Sequence, residues 1–168
     1  MPFDAFGTYG NEEQPAPAFA LPGGAGQTIR LWDYKQRKSL VIYFLNPDGA
    51  LEKVLTTLEA DYPVYQAEGA QLLVILATDS QAVQKLSLSL SLNYPLLADS
   101  NSLVHTRYIK LVYPQYDPAQ PGPKPVALFV ADRFGSIYRY ATSTEPAKLP
   151  AREEVLEIIG FLNNLCNP

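Results

Sequence analysis

The chain has 168 residues, 47% of them hydrophobic, with 13 Lys+Arg against 17 Asp+Glu for a formal charge of −4. That length and apolar share suit one globular domain with a full core and exclude wholesale disorder. The mild acidity argues against a nucleic-acid partner, which needs a basic face, and one cysteine and one histidine exclude an internal disulfide and any Cys- or His-rich metal cluster.

Residues 1–17 are rich in Gly, Pro and acidic residues without periodicity, which predicts an arm on the surface or partly disordered. A single domain is expected over 18–168. The opening MPFDAFGTYGNEEQ has no positive segment followed by an apolar run, so no signal peptide is expected. No apolar run approaches a membrane span. The expectation is a soluble, cytoplasmic chain with no membrane partner.

Phe19 and Leu21 alternate before a Pro-Gly-Gly break and Thr28 to Leu31 alternates after it, a small β-hairpin. Leu31-Trp32-Asp33-Tyr34 reads as one helical turn, and the basic Lys35, Arg37 and Lys38 as a solvated loop. Leu40 to Leu45 is a continuous run of β formers, as a strand buried on both faces should be. Leu51, Val54, Leu55, Leu58 and Tyr62 then recur at helical spacing, with Gly69 as C-cap. Pro63 should kink or split that helix. Leu72 to Ala77 is a second buried strand, completing a parallel β-α-β unit.

Lys85 to Leu92, KLSLSLSL, sets two rules against each other. Its alternation favours a strand; its place after a strand and an Asp79-Ser80 cap favours a helix. The helix reading puts Val83, Leu86 and Leu90 on one face and leaves Leu88 and Leu92 on another. Tyr94 to Ala98 reads as a short strand, and Asp99-Ser100-Asn101-Ser102 as the cap of a helix to about Leu111 that places His105 toward solvent. Five prolines between Pro114 and Pro125 make a semi-rigid loop. Val126 to Ala131, the turn Asp132 to Gly135 and Ser136 to Ala141 form a hairpin. A last helix, about Ala151 to Leu165, aligns Val155, Ile158, Ile159 and Leu162.

Five passages, taken in order, resemble the peroxiredoxins, the alkyl hydroperoxide reductase and thiol-specific antioxidant group of the thioredoxin superfamily. They are Pro17-Ala-Phe19-Ala-Leu21; Leu31-Trp-Asp33 followed by Lys38 to Phe44; Ala77 to Ser80; Tyr94 to Asp99; and Phe129 to Ile137. The resemblance implies an α/β, thioredoxin-like fold: a central mixed sheet flanked by helices, with an N-terminal β-hairpin extension. It also implies thiol-based peroxide reduction without a further cofactor.

The residues for that chemistry do not carry over. The family's loop is Pro-x-x-x-Thr-x-x-Cys, where a thiolate at a helix N-terminus attacks peroxide. Anchored on Tyr43-Phe44, its Pro, Thr and Cys fall on Asn46, Ala50 and Lys53; anchored on Pro47, they fall on Pro47, Leu51 and Val54. A thioredoxin-type pair falls on Gly49 and Glu52, and the family's arginine on Val126. Pro125 sits one residue before the thioredoxin cis-proline position, and its isomer is open. The vestigial loop therefore reads as Asn46, Pro47, Asp48, Gly49, Glu52 and Lys53, with Asn46 as N-cap, Pro47 at the first helical position and Asp48 a fixed carboxylate.

Other candidates are sparse. Cys166 continues the apolar stripe of the last helix and is either a structural cysteine or a C-terminal resolving thiol. Asp48, Glu52 and Lys53 form either a polar site or an ordinary first helical turn. Tyr113 and Tyr116 offer amphipathic contacts in the proline-rich loop unless that loop is a plain connector. Leu88 and Leu92 offer an oligomer or partner interface unless a neighbouring element covers them. Three functions remain: a non-catalytic module that binds a partner or small molecule or self-associates, a thiol-dependent antioxidant enzyme using Cys166, and, third in order, non-thiol catalysis by Asp48 or Glu52 in the vacated pocket.

Overall fold

The computed structural model describes residues 3–9, 13–34 and 36–166, and of Cys166 the backbone alone. Ser39–Leu45 (β4) is buried at every position and forms the middle of a six-stranded sheet. Ala70–Leu76 (β5) pairs parallel to it and Leu96–Ala98 (β6) parallel to β5. On its other side lie Val126–Ala131 (β7) and Ile137–Ser143 (β8), both antiparallel to their neighbours. Such a mixed sheet, covered on both faces, explains the apolar runs Leu40 to Leu45, Leu72 to Leu76 and Val126 to Ala131 within β4, β5 and β7.

The pleat of β4 sends Val41, Tyr43 and Leu45 to one face and Leu40, Ile42 and Phe44 to the other. The first face is covered by three helices: Leu51–Ala67 (α1), Ser80–Ser89 (α2) and Arg152–Cys166 (α4). The second is covered by Leu103–Val112 (α3) and by the N-terminal hairpin, Ala20–Pro22 (β2) with Thr28–Arg30 (β3). A bridge from Gly23 to Leu97 and a bond from the Gly24 N–H to the Leu96 carbonyl tie that hairpin to the β6 edge. Leu31–Tyr34 forms the expected helical turn.

The N-terminal arm is corrected. Ala5–Thr8 (β1) pairs antiparallel with β8, Phe6 opposite Ala141, and so extends the main sheet. Polar and glycine-rich composition did not prevent pairing because an edge strand needs only its backbone groups and one covered face. Residues 10–12 and Lys35 lie outside the described residues.

Pro63 does not split the helix: α1 runs unbroken from Leu51 to Ala67. Pro63 is exposed while Tyr62 and Tyr65 beside it are buried against the sheet, so packing holds the helix through the lost hydrogen bond. Gly69 follows the helix at φ +76°, the left-handed position a glycine takes cheaply. The Leu/Ser segment is helical, with the Asp79 carboxylate accepting from the Ala82 N–H. Leu88 is 78% exposed, but Leu92 is half-buried against the core, so the two do not share an open face. The helix has ended before Leu92: Ser91 adopts φ +52° and turns the chain inward.

Candidate functional site

Beyond Leu45 the chain makes a short turn before α1, but not with the predicted caps. The Asn46 amide donates to the carbonyls of Lys124 and Pro125, both at 3.3 Å, so it braces the proline-rich loop. Asp48 closes the turn, its Oδ1 accepting from the Ala50 N–H at 3.2 Å and its carbonyl from the Leu51 N–H at 3.1 Å. The helix therefore begins at Leu51, with Ala50 in the capping place and no side-chain cap. Asn46 is corrected as N-cap, and Pro47 as first helical residue. The Lys124–Pro125 bond is trans, which closes the question of its isomer.

Two cavities flank this turn. On the α1–α4 side a groove of about 770 Å³ runs between α1 and the segment Thr144–Glu153. Its wall includes Asp48, Ala50, Lys53 and Val54. Lys53 and Val54, onto which the two registers of the resemblance place the cysteine, thus both line the groove. Tyr43 floors the groove, and burial raises its hydroxyl pKa well above the usual tyrosine value, with the neighbouring Tyr65 adding to the shift. Asp61 and Arg152 meet at 3.4 Å on its wall. Burial raises the Asp61 carboxyl above its ordinary value; Arg152 opposes this and Glu153 adds to it. Glu52 and Gly49 are exposed and line neither cavity.

On the opposite side a smaller pocket of about 260 Å³ is lined by Asn46, Pro47, His105, Lys124 and Pro125 among others. His105 corrects the sequence reading, which placed it toward solvent. It is 6% exposed, with Nδ1 at 2.8 Å from the Asp99 carboxylate and Nε2 at 3.1 Å from the Leu45 carbonyl. Asp99 also accepts the backbone N–H groups of Val104 and His105, and so caps α3 from outside the helix. Asn101, within the same predicted cap, adds a bond of its own, its Oδ1 accepting from the Leu103 N–H at 3.2 Å. The Asp99–His105 pair is not half of a hydrolytic triad, because a main-chain carbonyl occupies the place a nucleophile would need.

Tyr113 and Tyr116 are half-buried, and the ring of Phe3 packs edge-on against both. The Tyr113 hydroxyl also meets Thr142 Oγ1 at 3.1 Å. Through these contacts they bind the N-terminal segment to the sheet. Cys166 closes α4, and its side chain lies outside the described residues. Among the described residues no group of three or more His, Cys, Asp or Glu is placed to hold a metal ion, and no helix is long and apolar enough to cross a membrane. The meeting of Asp61 on α1 with Glu145 and Arg152 around the groove left no sequence signal, since Asp61 lies far from the other two along the chain.

Known structures share the architecture. The peroxidoxin BcpB of Mycobacterium tuberculosis superposes with a TM-score of 0.69 at 14% identity, over 93% of this chain and 97% of that one. Peroxiredoxin Q of Xanthomonas campestris gives 0.66 at 15%, over 87% and 90%. A putative thiol:disulfide interchange protein DsbE of Chlorobium tepidum gives 0.60 at 18%, over 90% and 97%. At these identities the likeness is one of fold. No curated protein matches the sequence. The AhpC/TSA family profile matches residues 13–139, three quarters of the chain, and the protein belongs to that family.

Proposed function

We propose that this chain keeps the peroxiredoxin scaffold as a non-catalytic binding module, acting in the cytoplasm, with the α1–α4 groove as its binding site. One observation carries the reading: the groove wall that would present the thiol holds Lys53 and Val54, and the only cysteine is Cys166. Arg152 and Glu153 at the start of α4 line the groove, whereas Cys166 is the last residue of the same helix. At 1.5 Å rise per residue the two ends lie about 20 Å apart. Val126, onto which the resemblance places the family's arginine, is a buried core residue and cannot take that arginine's part in lowering a thiol pKa.

The test is a peroxide-consumption assay with a thiol reductant, run on the intact chain and on Cys166→Ser. Both should match the uncatalysed background. Turnover that disappears in Cys166→Ser would overturn the proposal in favour of a thiol enzyme.

A further inference from the structure

The groove's shape and charge narrow what it would hold, taking as given the reading above that it is a binding site. Its volume lies within the range of small-molecule sites. The α1 wall runs from Ala50 to Asp61, about 16 Å at the helical rise. Between these ends α1 contributes the apolar Val54 and Leu58 beside Lys53 and Thr57, and Pro146, Leu149 and Pro150 form the apolar part of the opposite wall.

The ionic lining is uneven. Four carboxylates, Asp48, Asp61, Glu145 and Glu153, face two cations, Lys53 and Arg152. Arg152 is already shared, one guanidinium nitrogen 3.4 Å from Asp61 and another 3.4 Å from Glu153. That end of the groove therefore keeps one uncompensated negative charge beside an apolar floor, where attraction for a cation is stronger than in bulk water. The raised carboxyl of Asp61 is the response of a group in such surroundings. Lys148 reaches Glu145 only at 3.8 Å and on the surface, an ion pair of little strength.

We propose that the groove binds an elongated organic cation: an amine or guanidine on an apolar stem, the stem along Val54 and Leu58 and the charged head at the Asp61–Glu153 end. Anionic ligands of the same shape are disfavoured by the same carboxylates.

Phenylbutylamine, phenylbutanol and phenylbutyrate share one stem and differ in charge, and titrating each into the ¹⁵N-labelled protein separates the alternatives. The amine should bind tightest and the carboxylate weakest, with amide shifts centred on Val54, Thr57, Ala147 and Ala151. Glu153→Gln and Glu145→Gln alter exposed side chains, so both variants should fold. Each should weaken the amine roughly fivefold and leave the alcohol unchanged. Glu157→Gln, on α4 outside the groove, should leave both unchanged. The proposal fails if the carboxylate binds as well as the amine, if shifts centre elsewhere, if no ligand shifts these amides at millimolar concentration, or if Glu157→Gln weakens the amine equally. The peroxide assay is a separate readout: turnover there would overturn the non-catalytic reading, whereas failure of the titration alone removes the ligand class.

Discussion

Asp99 holds His105 through both ring and backbone: its Oδ2 lies 2.8 Å from the imidazole Nδ1 and accepts the His105 backbone N–H at the same distance. The far nitrogen of the ring, Nε2, is 3.1 Å from the Leu45 carbonyl. A carboxylate and a carbonyl only accept, so both ring contacts are hydrogen bonds when the imidazole carries two N–H groups. The last residue of β4 is thereby joined to the end of β6 and the start of α3, directly behind the Asn46–Gly49 turn.

This arrangement predicts an acid dependence of stability. Burial alone would raise the Asp99 carboxyl, but hydrogen bonds from the ring and backbone of His105 and from the Val104 N–H outweigh it, and its pKa falls below 3.8. The folded state then takes up this proton less readily than the unfolded state. The stabilisation is fully present above about pH 4 and is lost as pH drops through the folded value. Asp99→Asn should be less stable by about 3 kcal/mol at neutral pH, and the gap should narrow below pH 4. Urea midpoints measured from neutral to acid pH test this; a gap independent of pH would count against it.

The two leucines that share a face in the sequence pattern should behave differently. Leu88 is exposed, so Leu88→Ser should change stability by no more than about 0.5 kcal/mol. Leu92 packs against the core, so Leu92→Ala should cost about 1–2 kcal/mol. Denaturant unfolding of both variants distinguishes this from a common interface.

Pro63 remains a local fault in α1 despite the unbroken helix. Alanine there restores the hydrogen bond to the Glu59 carbonyl on an exposed face. Pro63→Ala should stabilise by about 1 kcal/mol, a gain reduced by the greater freedom of its unfolded chain. A lowered thermal midpoint would show that the proline suits its place.

A thiol restored to the groove should remain sluggish. In a Cys166→Ser background, Lys53→Cys would sit in the first turn of α1, where the helix favours a thiolate but Asp48 and Glu52 oppose it. Its alkylation at neutral pH should speed up several-fold when Asp48→Asn is added. If Asp48→Asn has no effect, this carboxylate is not what makes the site hostile to a thiolate.

Most of the fold was legible because it rests on local signals. The buried strands β4, β5 and β7 carry apolar runs of five or six residues, and the α1 and α4 stripes follow helical spacing. The Leu/Ser segment was settled by its capping aspartate, Asp79. β1 escaped notice because an edge strand is specified by a neighbour more than a hundred residues away, Phe6 by Ala141, and not by its own composition. Asn46 was misread for a similar reason: its amide is drawn to Lys124 and Pro125, partners that local sequence does not reveal.

Five passages in order, from Pro17 to Ile137, established which family the chain resembles, and the residues after β4 established that no cysteine stands at its helix N-terminus. Whether that place was filled or open depended on how far Thr144–Glu153 lies from α1, a distance set by packing across the sheet. Tertiary structure alone decided that a groove remains, that Asp61, Glu145 and Arg152 meet around it, and that His105 is buried against Asp99. Burial and long-range hydrogen bonds are properties of the assembled layers, and no local pattern of residue types encodes them.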